Sequence, residues 1–231
     1  MYKNYVKENF VIGDSNNAAI QSVDVTLNSE ETQNNPLVLY GASGTGKTHF
    51  AHIAAIELRR IGKTVYQMSA MEFIDRLVFA MSNQNEDEFR QEMIECDVLI
   101  IDDLRQFVGR FGCQDELCLI LDNRLANGKQ TIFTANETLK EMDWHNRHLA
   151  SRLLSGLTVK MDLADKTMQI QILSKRLESA NVSLSEELLA EAVKKTKGNG
   201  WLIEGVAKQI IDMSLQGVVI THDTLVQNLQ V

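Results

Sequence analysis

The chain is 231 residues long and carries 31 acidic against 23 basic side chains, a net charge of −8. Such a balance excludes tight, charge-driven binding along duplex DNA, and leaves a local patch or an array of copies as the routes to nucleic acid. With 44% hydrophobic and 23% charged residues the chain can bury a globular core, and no apolar run reaches the roughly 18 residues of a membrane span.

The N-terminal Met1-Tyr2-Lys3-Asn4-Tyr5 lacks a secretory apolar segment, so the cytoplasm is the expected compartment. Leu37-Val38-Leu39-Tyr40-Gly41 reads as a short buried strand. Apolar residues at Phe50, Ile53, Ala54, Ile56 and Leu58 predict a helix over 48–60, stopped by Gly62. A second strand over 64–68 precedes a helix over 70–81, whose face carries Met71, Ile74, Leu77, Val78 and Met81, and a polar helix over 86–95. The run over 97–102 (Asp-Val-Leu-Ile-Ile-Asp) is the clearest strand, followed by a helix over 115–126 that ends at Asn127-Gly128, and by a strand over 130–135. Alternating strands and helices imply a parallel sheet sandwiched by helices. Beyond residue 162 the pattern turns helical, over 165–180, 185–197, 201–216 and 222–229, with Ser185 as a helix cap backed by Glu186 and Glu187. The expected organisation is an α/β core over 1–162 and a small all-helical lid over 163–231.

The three cysteines, Cys96, Cys113 and Cys118, form no CxxC pair and have no His or Cys cluster beside them in the sequence, so reduced and mostly buried thiols are expected. Gly41-Ala42-Ser43-Gly44-Thr45-Gly46-Lys47-Thr48 matches the phosphate-loop pattern in full. Its glycines let successive backbone N–H groups cradle phosphates, Lys47 sets a cation against the β- and γ-phosphates, and the Thr48 hydroxyl is a Mg²⁺ ligand. The following helix aims its N-terminal dipole at the anion. The strand Val98-Leu99-Ile100-Ile101-Asp102-Asp103 has a Walker B layout: Asp102 would hold Mg²⁺ through its hydration shell and Asp103 would polarise the attacking water as base. Asn136 ends the strand over 130–135 as a sensor candidate, or merely starts a turn. Arg147 and Arg152 are candidates for an arginine finger, or for surface ion pairs.

Taken in order, these pieces resemble AAA+ ATPases of the DnaA family over nearly the whole chain. Asn9-Phe10-Val11-Ile12-Gly13-Asp14-Ser15-Asn16 is similar to the family's adenine-lining segment, which implies nucleotide contacts by Val11, Ile12 and Asn16. Asn35 to Gly41 and Gly46-Lys47-Thr48-His49 resemble its strand and Walker A loop, bringing His49 to the site. Asn146-Arg147, Ser151-Arg152 and Gly156-Leu157-Thr158-Val159 resemble the arginine-bearing box, which implies head-to-tail assembly with Arg152 or Arg147 completing a neighbour's site. In the lid segment Gly198-Asn199-Gly200-Trp201-Leu202-Ile203-Glu204-Gly205, Trp201 stands where the family places its sensor 2 arginine. An indole supplies no cation to the γ-phosphate, so Trp201 is expected beside the nucleotide or in the lid core, with hydrolysis weakened.

The resemblance implies an isolated AAA+ module, as in Hda-type regulators of DnaA, without the family's helix-turn-helix duplex reader; no clamp-binding Q-x-L motif stands out over 1–10. It also implies a single-stranded DNA surface on 71–81 and near Arg110. Val78 and Arg110 match that surface, whereas Phe79 and Gly112 replace its usual basic residues. ATP or ADP with Mg²⁺ is the expected cofactor set, bound between core and lid. The expected partners are further copies or DnaA, a replicative helicase, and weak or oligomer-dependent single-stranded DNA, with neither sequence-specific duplex DNA nor membrane. The alternatives are a helicase loader or transposition-helper ATPase, and a nucleotide-locked adaptor with little hydrolysis.

Overall fold

The computed structural model describes residues 10–28 and 34–229. The expectations for a leader or clamp motif over 1–9, including Asn9, lie outside the described residues.

The strands β1 (Leu37–Tyr40), β2 (Val65–Ser69), β3 (Val98–Asp102), β4 (Gln130–Ala135) and β5 (Leu157–Lys160) form one parallel sheet in the order β2-β3-β4-β1-β5. In β3 the four residues Val98 to Ile101 are all buried, as are all six of β4, the pattern of strands covered on both faces. Register pairs Ser69 with Asp102, Ile101 with Phe133, and Tyr40 with both Ala135 and Lys160. The carboxyl ends of β1, β3 and β4 therefore share one sheet edge, where open α/β folds carry their ligands.

Between the strands run α2 (Lys47–Arg60), α3 (Ala70–Ser82), α4 (Glu86–Glu95), α5 (Phe111–Ala126) and α6 (Arg147–Ser155); α1 (Asp14–Asn28) precedes β1. Phe73 sits at the centre of the core, edge-on to Phe89 at 5.1 Å and to Phe107 at 5.5 Å between ring centres. Arg124 is fully buried in α5. Its guanidinium donates to the carbonyls of Met93 (2.6 Å), Cys96 (3.0 Å) and Gln130 (2.6 Å) and to the Thr131 hydroxyl (3.0 Å), tying the end of α4 to the start of β4.

The helices α7 (Lys166–Glu178), α8 (Glu186–Ala192), α9 (Gly200–Leu215) and α10 (His222–Asn228) have their own core of Leu173, Leu177, Leu189, Ile203, Val206 and Ile210. Asp165, Ser185, Asn199 and Thr221 cap their N-termini by accepting backbone N–H bonds. By contact, these helices group with residues 10–17 and Ala42–Gly46 as one unit, and the strands with the remaining helices as another.

Several elements differ from expectation. α1, α6 and β5 are present where the sequence predicts no helix or strand, α5 begins at Phe111 instead of 115, and α8 stops at Ala192 instead of running to 197. Beyond Ala192 the chain continues in tighter turns, with the Lys194 and Thr196 N–H groups bonding three residues back to the Glu191 and Val193 carbonyls, before Lys197 and Gly198 at positive φ (51° and 79°) turn it away.

Candidate nucleotide site

In the strand unit, Gly41 follows β1 at φ +156°, where an added Cβ would fall 2.1 Å from the Met161 carbonyl oxygen, so only glycine fits. Lys47 opens α2 and is buried; its ammonium donates to the Gly41 carbonyl at 2.7 Å. Burial pushes the Lys47 pKa down, and the nearby Asp102 and Asp103 carboxylates oppose that shift. The Thr48 hydroxyl lies 2.9 Å and 3.1 Å from the two Asp102 oxygens. Walker A and Walker B residues, far apart in sequence, are thus joined by a hydrogen bond.

Two further groups organise the acidic pair. Thr134, buried in β4, donates its hydroxyl to Asp102 and accepts the Asp103 backbone N–H at 2.9 Å. Asp103 adopts a left-handed backbone (φ 68°, ψ 69°), a conformation that costs a non-glycine residue about 1–2 kcal/mol. Its carboxylate is held by Gln106 Nε2 at 2.9 Å and by Asn136 Nδ2 at 3.3 Å. Asn136 is therefore brought to Asp103. Neither Thr134 nor Gln106 was predicted; the sequence signal would have been a hydroxyl in the neighbouring strand and a polar residue one turn beyond the second aspartate. His49 is half-buried in the first turn of α2.

The two arginines differ. Arg147 begins α6, is exposed, and forms no ion pair among the described residues. Arg152 Nε lies 2.6 Å from Asp122 Oδ1, whose other oxygen faces His148 Nε2 at 3.0 Å.

In the helical unit, Ala42–Gly46 form the crest of the phosphate loop. Gly44 and Gly46 sit at φ +86° and +93°, which glycine adopts without Cβ strain. The Thr45 hydroxyl closes the crest on the Ala42 carbonyl at 3.0 Å. Asn199 Nδ2 donates to the Ser43 carbonyl (3.1 Å), and the Gly200 N–H to that of Gly44 (2.8 Å). Asn199 Oδ1 meanwhile caps α9 by accepting the Trp201 and Leu202 N–H groups. A Cβ on Gly44 would lie 2.3 Å from Asn199 Oδ1. Sequence reading passed over Asn199.

In the same unit Asn16 is buried and shapes the preceding turn, accepting the Gly13 N–H at 3.0 Å and donating to the Val11 carbonyl at 2.8 Å. Val11 is buried; Ile12 stands exposed. Trp201 is not a core residue: it is 60% exposed. The stripe that faces inward on α9 runs Ile203, Val206, Ala207, Ile210, and position 201 falls outside that 3.6-residue period.

Three comparisons bear on this arrangement. Residues 1–160 match the family model described as the bacterial DnaA ATPase domain. The chromosomal replication initiator protein DnaA of Francisella tularensis subsp. novicida is 31% identical over 214 residues, which are 91% of this chain and 43% of that protein. The chain thus spans less than half the length of this curated relative. Domain III of the Thermotoga maritima replication initiation protein DnaA superposes with a TM-score of 0.89 at 25% identity, covering 98% of this chain and 96% of that one. A replication initiator DnaA bound to AMPPCP and single-stranded DNA superposes at 0.83 with 29% identity, over 93% of this chain and 66% of that one.

Proposed function

Because the chain belongs to the bacterial DnaA ATPase domain family, we propose that it binds ATP or ADP with Mg²⁺ at Gly41 to Thr48 and acts in replication initiation or its control, through self-assembly or contact with DnaA. The observation that carries this reading is the Thr48–Asp102 hydrogen bond. Both groups offer only oxygen donors, the chemistry that Mg²⁺ takes. The bound ion would neutralise charge on the β- and γ-phosphates. Thr134 fixes which Asp102 oxygen turns outward, and Lys47 sets its cation against the phosphates. Asp103 would accept a proton from the attacking water, with Asn136 and Gln106 aiming its carboxylate. Arg147 is our first candidate to reach a neighbouring copy's nucleotide, since among the described residues it has no ion pair to break, whereas Arg152 is held by Asp122.

The exposure of Trp201 favours a second reading, an adaptor that holds nucleotide with little turnover, because no cation stands at that position. The test is equilibrium binding of a fluorescent ATP or ADP analogue, followed by turnover alone, with single-stranded DNA, and with DnaA preloaded with ATP. Tight binding that is lost in Lys47→Ala and weakened by EDTA is expected. Hydrolysis of the ATP on DnaA supports the regulator; binding with no turnover in any mixture leaves the adaptor. Absence of nucleotide binding sinks both.

A further inference from the structure

The sequence sets no histidine near Cys118, yet the fold brings one beside it. Cys118 and Asp122 are four residues apart on α5 and share a helix face. His148, on α6, brings its Nε2 to 3.0 Å from Asp122 Oδ2. One ligand atom from each of the three, Cys118 Sγ, an Asp122 oxygen and a His148 ring nitrogen, all lie within 4.8 Å of one another.

We propose that Cys118, Asp122 and His148 form a binding site for a zinc-class divalent transition ion, separate from the Mg²⁺ ligands Thr48 and Asp102. A thiolate, an imidazole and one carboxylate select zinc, cobalt or nickel over the hard cations that take oxygen alone. The edges of a tetrahedral zinc site are about 3.3 Å between nitrogen and oxygen ligands and somewhat longer to sulfur. The His148–Asp122 separation is already near that value, and rotation of side chains closes the rest. The adjacent cation does not block the site, because Arg152 Nε occupies the other oxygen, Asp122 Oδ1, at 2.6 Å. Hydrogen bonding of that kind to the remaining oxygen is how ligating carboxylates are oriented. His148 is more than half exposed and gives the ion a path from solvent; Cys118 is buried and Asp122 half-buried beneath it. Water would fill the fourth position. Binding displaces the thiol proton and any imidazole proton to solvent. The ion would cross-link α5 to α6 and so fix the helix that bears Arg147 and Arg152.

The test uses tag-free protein and zinc alone, with a chromophoric chelator as competitor. One zinc per chain, held at micromolar Kd or tighter, is expected, with an at least about 100-fold loss in His148→Ala and in Cys118→Ser. Asp102→Asn should keep full zinc affinity. The cobalt(II) adduct should show a thiolate-to-metal charge-transfer band that Cys118→Ser removes. His148 is a surface residue, so its variant folds even if the cysteine variant does not. Zinc binding unchanged in His148→Ala, a cobalt adduct with no thiolate band, or no binding at 100-fold excess zinc would each overturn the site.

Discussion

Arg124→Met removes a cation that is completely enclosed and leaves its hydrogen-bond partners in place. Two carbonyls, Met93 and Gln130, accept from it at 2.6 Å, and those of Cys96 and the Thr131 hydroxyl at 3.0 Å. An acceptor orphaned in a dry core costs about 1–3 kcal/mol. Methionine restores apolar packing and relieves the buried guanidinium of its own desolvation, which offsets part of that cost. The net expectation is a loss of about 2–4 kcal/mol, read as a lower urea midpoint at unchanged slope by far-UV circular dichroism. Arg124→Lys should fall between the two, because one ammonium cannot span carbonyls on both α4 and β4. A methionine variant within about 1 kcal/mol of the parent would refute the reasoning, since the carbonyls would then have found other partners.

Further outcomes follow from the same geometry. Asp103→Asn should leave nucleotide affinity intact and lower turnover by about 100-fold or more; substantial residual activity would remove Asp103 as the base. The Asp97 carboxylate, held by the Thr64 N–H and hydroxyl and by Lys129, is kept well below the usual carboxylate range. Its stabilisation is present above the unfolded value near about pH 4 and is lost as pH falls through the depressed folded value. Urea midpoints of the parent and Asp97→Asn should therefore differ at pH 6 and converge at the acid end; parallel curves would contradict this. Gly156→Ala should cost at least about 2 kcal/mol, because its Cβ would lie 1.9 Å from the Pro36 carbonyl oxygen; a thermal midpoint like the parent's would count against it. Asn199→Ala should cost about 1–2 kcal/mol, from the lost α9 cap and the lost bond to Ser43. Asn199→Ser, which keeps the cap alone, should recover roughly half in the same thermal scan, and full recovery would dismiss the Ser43 contact.

Much of the sheet was legible because β1 and β3 are buried on both faces and so read as continuous apolar runs ending in Gly41 and Asp102, while β4, half polar in sequence, still offers β-branched and aromatic residues suited to a strand. β5 escaped because it is short and at the sheet edge, with Thr158 and Lys160 exposed, so that only its pairing to β1 makes it a strand. α1 escaped because Val23, Val25 and Thr26 are β-branched, which weakens a helical signal. The phosphate loop and the Asp102–Asp103 pair were visible because their chemistry dictates residue type at fixed spacing. Thr134, Gln106 and Asn199 act through contacts made by the fold, and ordinary polar residues leave no mark in sequence. The cysteine reading holds: all three thiols are free, with Cys96 and Cys118 buried and Cys113 half-buried. That His148 stands near Cys118 shows only once α6 is packed on α5.

Trp201 has one more consequence. The chain contains two tryptophans; Trp144 is half-buried with its indole N–H on the Leu139 carbonyl, whereas Trp201 stands in solvent two residues from the Asn199 that grips Ser43. The protein therefore carries its own optical probe at the crest of the phosphate loop. Trp144→Phe would leave a single, red-emitting, quencher-accessible fluorophore, and occupancy of the loop could be followed in real time without attaching a dye.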